Sequence, residues 1–132
     1  MEITINETYL SEIEFILDDL VNDPQGQSAF EKRNSAYVKI GFAHDTNSVR
    51  VIDASEEEVM VLLSDVHAKN SEYTREIADI LTKNKGLEIE EDMEIVEKFR
   101  EIYAGLSQFE TQIEELYPDV YKKWETQTYF PE

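Results

Sequence analysis

Two long consecutive segments carry apolar residues at helical spacing, and this periodicity constrains the fold more than any other feature of the sequence. Ser55 and Glu58 form a capping box that predicts the start of the first helix. Gly86 is the residue type that commonly ends helices, and only a few residues separate the two segments. We therefore predict an antiparallel helical hairpin over residues 55–117. Its apolar seams comprise Val59, Leu62, Leu63, Val66, Tyr73, Ile77, Ile80 and Leu81, and then Ile89, Met93, Val96, Phe99, Tyr103, Leu106 and Ile113.

The regions that flank this hairpin carry shorter patterns. The opening "MEITIN" alternates, which predicts a strand or an extended arm, and an N-terminal helix is predicted within residues 1–23. The runs "AYVKIGFA" and "SVRVI" are rich in β-branched and aromatic residues and surround the turn-like "HDTN", so a β-hairpin is predicted over residues 37–53. Residues 118–132 are predicted to form a short helix and a tail.

These elements predict a single domain over residues 1–132. Its fold class is α+β and predominantly helical, with the β-hairpin packed beside the antiparallel helical hairpin and the N-terminal helix. Asn70 is an exception to the apolar pattern, because it falls within the first seam, where the pair Asn70-Ser71 suggests a kink.

The chain has a large excess of negative charge, with 30 acidic and 12 basic residues and a formal net charge of −18. Direct binding to nucleic acid is not expected, because phosphate contacts need Lys and Arg. Attraction to anionic membranes is not expected for the same reason. A basic partner fits this charge, and the main basic surfaces in a cell belong to proteins that hold DNA or RNA. Hydrophobic residues make up 41% of the chain, which is too many for a disordered acidic tail.

The cellular compartment is predicted from what the sequence lacks. It contains no cysteine, which excludes disulfide scaffolds and thiolate metal sites. It shows no charged-then-apolar leader, and no run approaches the ~20 apolar residues of a membrane span. Glu outnumbers Asp by more than two to one and Ile is abundant, a mixture typical of AT-rich bacterial or phage genomes. We therefore expect a cytoplasmic protein of a bacterial or phage-infected host cell.

The segment "EIEEDMEIVEKFREIY" concentrates the negative charge, with seven carboxylates against two basic side chains. At 100° per residue, four of its carboxylates fall on one stripe opposite the apolar seam, namely Glu90, Glu94, Glu97 and Glu101. On the preceding helix, acidic residues recur every seven positions, at Glu58, Asp65, Glu72 and Asp79. Glu76 lies beside this stripe. Side chains three or four residues apart on a helix lie about 5–6 Å apart at Cβ. This spacing is similar to that of phosphates along a DNA strand, which rise ~3.4 Å each.

A solvated helix face is the alternative interpretation of these stripes. Like charges four residues apart destabilise a helix by a few tenths of a kcal/mol per pair. A helix that needs only solubility would mix in Lys, yet residues 1–31 contain no basic side chain at all. The same imbalance on three predicted helices favours a partner whose attraction outweighs the repulsion.

Phe15 is predicted to lie on the polar side of the first helix, between Glu12 and Asp19. An aromatic ring among carboxylates is typical of an interface anchor with a charged rim. The alternative is a core position, if the helix is covered on two sides. The same choice applies to the C-terminal aromatic residues. We expect Tyr121 and Trp124, on the predicted helix, to lie in the core. We expect Tyr129 and Phe130, on the tail, to be free for contacts.

One pattern of carboxylates is similar to an enzyme site. Glu90, Glu91 and Glu94 fit E-E-x-x-E, and Glu76 and Asp79 fit E-x-x-D. Together they resemble the magnesium site of all-α nucleotide pyrophosphohydrolases of the MazG type, which implies magnesium-dependent hydrolysis of nucleotides. In that family E-x-x-D follows on the next helix, whereas the order here is reversed. Neither histidine falls in a metal-binding motif and no Gly-rich phosphate loop is present, so we predict no catalytic residue, metal ligand or cofactor.

The leading hypothesis is a non-enzymatic acidic protein that inhibits a basic nucleic-acid-binding protein or nuclease by occupying its DNA- or RNA-binding surface. In charge and size the chain resembles phage-encoded DNA-mimic inhibitors, among them anti-CRISPR and anti-restriction proteins, a resemblance of class that no motif defines. The alternatives are a helical adaptor or assembly protein that forms a homodimer, and the magnesium-dependent pyrophosphohydrolase. The residues predicted to bind the partner are Glu12, Phe15, Asp19, Asp65, Glu72, Glu76, Asp79, Glu90, Glu94, Glu97 and Glu101.

Overall fold

The computed structural model describes residues 1–21, 30–84 and 90–129, apart from the side chains at positions 19–21, 30, 84 and 128–129. Over these residues the chain forms five helices and a two-stranded antiparallel sheet, which confirms the predominantly helical α+β fold. None of the helices in these ranges combines the length and the apolar character needed to cross a membrane. In chain order the elements are β1 (Glu2–Ile5), α1 (Glu7–Val21), α2 (Phe30–Phe42), β2 (Arg50–Asp53), α3 (Glu56–Asn84), α4 (Glu90–Leu116) and α5 (Pro118–Tyr129).

The α3–α4 hairpin is the largest helix–helix contact and confirms the predicted antiparallel pair. Asn70 Nδ2 donates to Ser107 Oγ at 3.2 Å, and the rings of Tyr73 and Phe99 lie 5.1 Å apart. Residue numbers rise along α3 as they fall along α4, so the helices run in opposite directions. α3 itself continues without interruption through Asn70. The predicted seam of α3 is buried over its first half, at Val59, Leu62, Leu63, Val66 and Tyr73.

The first half of α3 is enclosed by the other helices. α2 runs antiparallel beside it, because Arg33 pairs with Asp65 while Lys39 pairs with Glu58. α5 returns to the same region, where the indole nitrogen of Trp124 donates to Ser64 on α3 at 2.9 Å. Trp124 is 2% exposed and Tyr121 packs against the core, as predicted. The Tyr129 side chain and Phe130 lie outside the described residues.

The predicted β-hairpin over residues 37–53 is wrong in its first strand. Residues 37–42 belong to α2, which buries Ala36 and Ile40, one helical turn apart, against the core. Phe42, which would have shared a strand face with Ile40, is 86% exposed instead. A short apolar run with period-two alternation is compatible with either structure, and here the stripe formed at helical spacing is the one that packs.

The second predicted strand is present as β2, but its partner is the N-terminal strand β1. Ile3 lies opposite Ile52, and both side chains are buried. The outer edge of β1 is covered by side chains, because Gln112 on α4 accepts from Thr4 N at 2.7 Å and donates to Thr4 O at 2.8 Å. Tyr117 Oη donates to the Glu2 carbonyl at 2.7 Å. These contacts satisfy backbone groups that an exposed edge strand would leave open for pairing with another chain.

Candidate partner-binding surface

Four carboxylates lie exposed in a row along the outer face of α4 and form what we call the acidic ridge: Glu90, Glu94, Glu97 and Glu101. Their face is opposite the residues through which α4 packs, such as the fully buried Val96 and Leu106. Among the described residues none of the four forms an ion pair with Lys or Arg. The ridge therefore presents its charge to solvent, as predicted for this stripe.

The spacing of the ridge follows from helix geometry. Steps of three and four residues place successive carboxylates about 4.5–6 Å apart along the axis, and the whole ridge spans roughly 16 Å. Lys98, four residues after Glu94, is exposed at the border of the same face and forms no ion pair with the ridge. The ridge ends near Gly105, where α1 crosses α4 and the side chain of Thr8 approaches the glycine.

Asp65 was predicted to lie on a second ridge along α3, and this prediction is wrong. Asp65 is 2% exposed and pairs with Arg33 of α2 at 2.8 Å, while Tyr37 donates to the same carboxylate at 3.1 Å. Burial raises the pKa of Asp65, and the hydrogen bonds from Arg33 oppose that rise. Glu58, from the same seven-residue repeat, is also buried. These two members of the repeat face α2, because Arg33 and Lys39 of that helix pair with them.

Glu12 was likewise predicted to be a partner-binding residue, and this prediction is also wrong. Glu12 is 5% exposed and accepts a hydrogen bond from the Tyr73 hydroxyl on α3. Burial and this carboxylate together raise the pKa of Tyr73 above its usual value. Glu12 therefore connects α1 to α3 inside the fold and is not available to a partner.

Phe15 is 56% exposed, so the core alternative is wrong for this residue. Its ring centroid lies 5.8 Å from Lys69 Nζ, and the same ammonium group lies 5.4 Å from the Tyr73 ring, a cation–π arrangement. Lys69 also pairs with Glu72 at 3.3 Å, so Glu72 is partly neutralised. The side chain of Asp19 lies outside the described residues.

The remaining residues of the predicted surface lie on the second half of α3. Glu76 is half-buried and Asp79 is exposed. Ten of the eleven predicted residues have side chains that the structure describes. Six of these ten are exposed: Phe15, Asp79, Glu90, Glu94, Glu97 and Glu101. Glu72 and Glu76 are half-buried, and Glu12 and Asp65 are buried.

The residues that resemble a magnesium site do not gather into one. Glu90, Glu91 and Glu94 are all exposed on the surface of α4. In the part of the chain that the structure describes, no group of three or more His, Asp or Glu side chains is placed to hold a metal ion. The spacing along the sequence thus exists without the convergent ligands that a hydrolytic magnesium centre needs.

A polar groove between α3 and α4 was not predicted as a site. It has a volume of about 300 Å³ and includes Asn70, Ser107 and Glu110. Burial raises the pKa of Glu110, and His67, whose Nδ1 lies 3.7 Å from Glu110 Oε1, opposes that rise. The one sequence signal for this groove is the polar Asn70 within an otherwise apolar seam.

Comparison with known protein families, with curated proteins and with solved structures found no match to this chain. Its function must therefore be inferred from its own surfaces. The two features that stand out are the acidic ridge on the outside of α4 and the polar groove between α3 and α4.

Proposed function

We propose that this chain is a non-enzymatic acidic binding protein that inhibits a basic nucleic-acid-handling protein by occupying its DNA- or RNA-binding surface. The observation that carries the proposal is the acidic ridge, which aligns four exposed carboxylates on one helix. None of them has an ion-pair partner among the described residues. A positively charged groove is the surface that such a row of charges would complement.

The energetics of the ridge favour a partner. Like charges at helical spacing destabilise a helix by about 0.2–0.5 kcal/mol per pair, and basic groups of a partner would relieve this repulsion. The middle and C-terminal parts of α4 are packed against α1, α3, α5 and β1. This packing holds the helix that carries the ridge in place before binding, which lowers the entropy lost on association.

The proposed mechanism is competition. The ridge carboxylates would take the positions of phosphates in the groove, and long-range attraction would speed the encounter between the two proteins. Phe15 and Asp79 are proposed as further contacts, because both are exposed. A mostly electrostatic complex should weaken as salt rises, since the Debye length falls from ~10 Å at 0.1 M to ~3 Å at 1 M.

The experiment compares two variants with the same charge change. One replaces the ridge, at Glu90, Glu94, Glu97 and Glu101, by Gln. The control replaces four exposed carboxylates elsewhere by Gln, at Glu2, Glu14, Glu31 and Glu125. Each variant and the wild-type chain is immobilised and exposed to a bacterial lysate, and retained proteins are eluted with increasing salt.

We expect the wild type and the control to retain a DNA- or RNA-binding protein that elutes with salt, and the ridge variant to lose it. The purified partner should then release a labelled nucleic acid when the wild-type chain is added. Equal losses for the two variants would contradict the role of the ridge. Retention of only proteins that bind no nucleic acid, in a salt-insensitive manner, would contradict the proposal as a whole.

A helical assembly protein is the second candidate, and exposed apolar side chains on the α3–α4 hairpin favour it. Leu81, Met93 and Ile95 are between 38% and 42% exposed. Such residues could be covered in a homodimer, although the neighbouring ridge would then face its own copy at a repulsive distance. Light scattering over a range of concentrations tests this, and a concentration-dependent dimer without a basic partner would favour it.

A further inference from the structure

The groove between α3 and α4, called the α3–α4 groove below, contains a buried polar atom without a partner. Asn70 is 6% exposed and donates from Nδ2 to Ser107 Oγ, but its Oδ1 accepts no hydrogen bond. Leaving a buried acceptor unsatisfied is energetically unfavourable. A bound molecule that donates a hydrogen bond at this point would recover that free energy.

Glu110 lies at the same end of the α3–α4 groove and also lacks full compensation. Its side chain is 21% exposed, and the nearest basic atom, Nδ1 of His67, is 3.7 Å away, beyond hydrogen-bonding distance. Burial disfavours the ionised carboxylate of Glu110, and His67 at this distance offsets that effect only in part. A cationic donor held between Glu110 and Asn70 would therefore be favourable for both side chains.

The other end of the α3–α4 groove carries the opposite charge. Arg75 lies five residues after Asn70 on α3, about 7.5 Å farther along the helix axis. Within the described ranges, Arg75 forms no ion pair. Tyr103, which is 43% exposed, also lines the groove and offers an apolar surface. The groove thus has acceptors at one end, a guanidinium at the other and an aromatic ring in its wall.

We propose that the α3–α4 groove binds a small zwitterion, an amino acid or a short peptide. Its ammonium group would donate to Asn70 Oδ1 and the Glu110 carboxylate, and its carboxylate would pair with Arg75. A simple cation would leave Arg75 without a counterion, and a simple anion would leave Asn70 and Glu110 uncompensated. This site does not depend on the acidic ridge or on the proposed function.

The first test uses three probes of equal chain length: δ-aminovalerate, which carries both charges, pentylamine, which carries only the cation, and valerate. Binding to the whole chain is followed by backbone amide shifts and by calorimetry. We expect δ-aminovalerate to bind at least about tenfold more tightly than either single-charge probe. Its shifts should cluster at the α3–α4 groove. Equal binding of pentylamine, shifts spread over all acidic helices, or no saturable binding would overturn the proposal.

The second test uses variants with matched charge controls. Glu110→Gln should weaken δ-aminovalerate about tenfold, whereas Glu31→Gln, an exposed change on α2, should change it less than about twofold. Arg75→Gln should abolish the preference for δ-aminovalerate over pentylamine. Lys122→Gln, which removes the same charge from an exposed position on α5, should keep that preference.

Asn70→Ala separates the hydrogen bond from the charges. It removes the unpartnered acceptor, and circular dichroism and thermal unfolding will show that the fold is retained. We expect this variant to bind all probes with an ammonium group more weakly and to leave valerate unaffected. If Glu31→Gln weakens binding as much as Glu110→Gln, or if Asn70→Ala binds δ-aminovalerate as tightly as the wild type, the assignment is wrong.

Discussion

Asp65 on α3 accepts hydrogen bonds from two nitrogens of Arg33 on α2, with Nε 3.0 Å from Oδ2 and Nη2 2.8 Å from Oδ1. The two side chains are 1% and 11% exposed, respectively, and Tyr37 donates to the same carboxylate. Such a bidentate contact combines opposite charges with a fixed geometry. The pair therefore sets how α2 lies against α3.

We predict that Asp65→Ala will destabilise the fold by about 3–5 kcal/mol, because it removes the buried carboxylate to which the Arg33 guanidinium and the Tyr37 hydroxyl donate. Chemical denaturation measures this change. Asp45→Ala is the matched control, because Asp45 pairs with Arg50 but is 64% exposed, and its loss should cost far less than the loss of Asp65. If both variants lose the same free energy of unfolding, the buried pair stabilises the fold no more than the exposed pair.

The lowered pKa of Glu58 predicts that the stability of the fold depends on pH. Burial alone would raise the pKa of Glu58, but hydrogen bonds from Lys39, the Ser55 backbone and Ser35 lower it to about 2, against an ordinary value of 4.5. Since the folded state has the lower pKa, Glu58 stabilises the fold above pH 4.5, and this contribution is lost as pH falls towards about 2.

The variant that tests this is Glu58→Gln, which should cost about 1.5–3 kcal/mol at neutral pH. The difference from wild type should shrink as the pH is lowered from 4.5 to about 2. Glu57→Gln serves as the control, because Glu57 is exposed and its ion pair is with the exposed Lys32. A gap between Glu58→Gln and wild type that stays constant over this range would contradict the assignment.

Two glycines in the described helices, Gly41 and Gly105, should respond in opposite ways to substitution by alanine. A Cβ at Gly105 would overlap the side chain of Thr8, whereas a Cβ at Gly41 would meet no atom within 4 Å. We expect Gly105→Ala to destabilise the fold by about 1–3 kcal/mol through overpacking. We expect Gly41→Ala to stabilise it by about 0.5–1 kcal/mol through backbone entropy.

Thermal unfolding of the two alanine variants measures these effects. The Thr8→Ala change should reduce the penalty of Gly105→Ala only in part, because it removes Oγ1 and Cγ2 of Thr8 but keeps its Cβ, which is also in conflict. If Gly105→Ala proves as stable as the wild type, α1 does not approach α4 as closely as the structure indicates.

The turn between α2 and β2 carries two residues in the left-handed region, Asn47 with φ of 53° and Ser48 with φ of 67°. Thr46 and Val49 exchange backbone hydrogen bonds around them, at 2.8 and 3.1 Å. A non-glycine residue in this conformation costs about 1–2 kcal/mol. We expect Ser48→Gly to stabilise the fold by up to about 1 kcal/mol, after the entropy of the more flexible unfolded chain is subtracted. In the same denaturation assay Ser48→Ala should give no gain, and a gain equal to that of Ser48→Gly would contradict the role of φ.

Several features of this chain could be predicted from the sequence because they depend on neighbours close in the chain. Ser55 and Glu58 do form the predicted capping box, with hydrogen bonds of 2.9 and 3.2 Å. Asn6, a residue type favoured at helix N-termini, accepts a hydrogen bond from Tyr9 N at 2.8 Å at the start of α1. The exposed position of the ridge residues on α4 also followed from helical periodicity alone.

The wrong predictions share a different cause. Each depended on which helix or strand packs over the segment in question. Asp65 and Glu12 looked like surface carboxylates until α2 placed Arg33 beside the first and α3 placed Tyr73 beside the second. The run from residue 37 to 42 looked like a strand until its helical stripe packed against the core. No local sequence pattern around Asp65, around Glu12 or in residues 37–42 distinguishes the predicted from the observed arrangement.

The sequence by itself determined the long helical hairpin, its cap and the charge along α4, because periodicity, capping and charge are properties of residues close together in the chain. The tertiary structure alone decided which carboxylates are buried, which strand pairs with β2 and that Asn70 and Glu110 line the same groove. These depend on contacts between segments far apart in the chain, where the free energy of burial outweighs local preference.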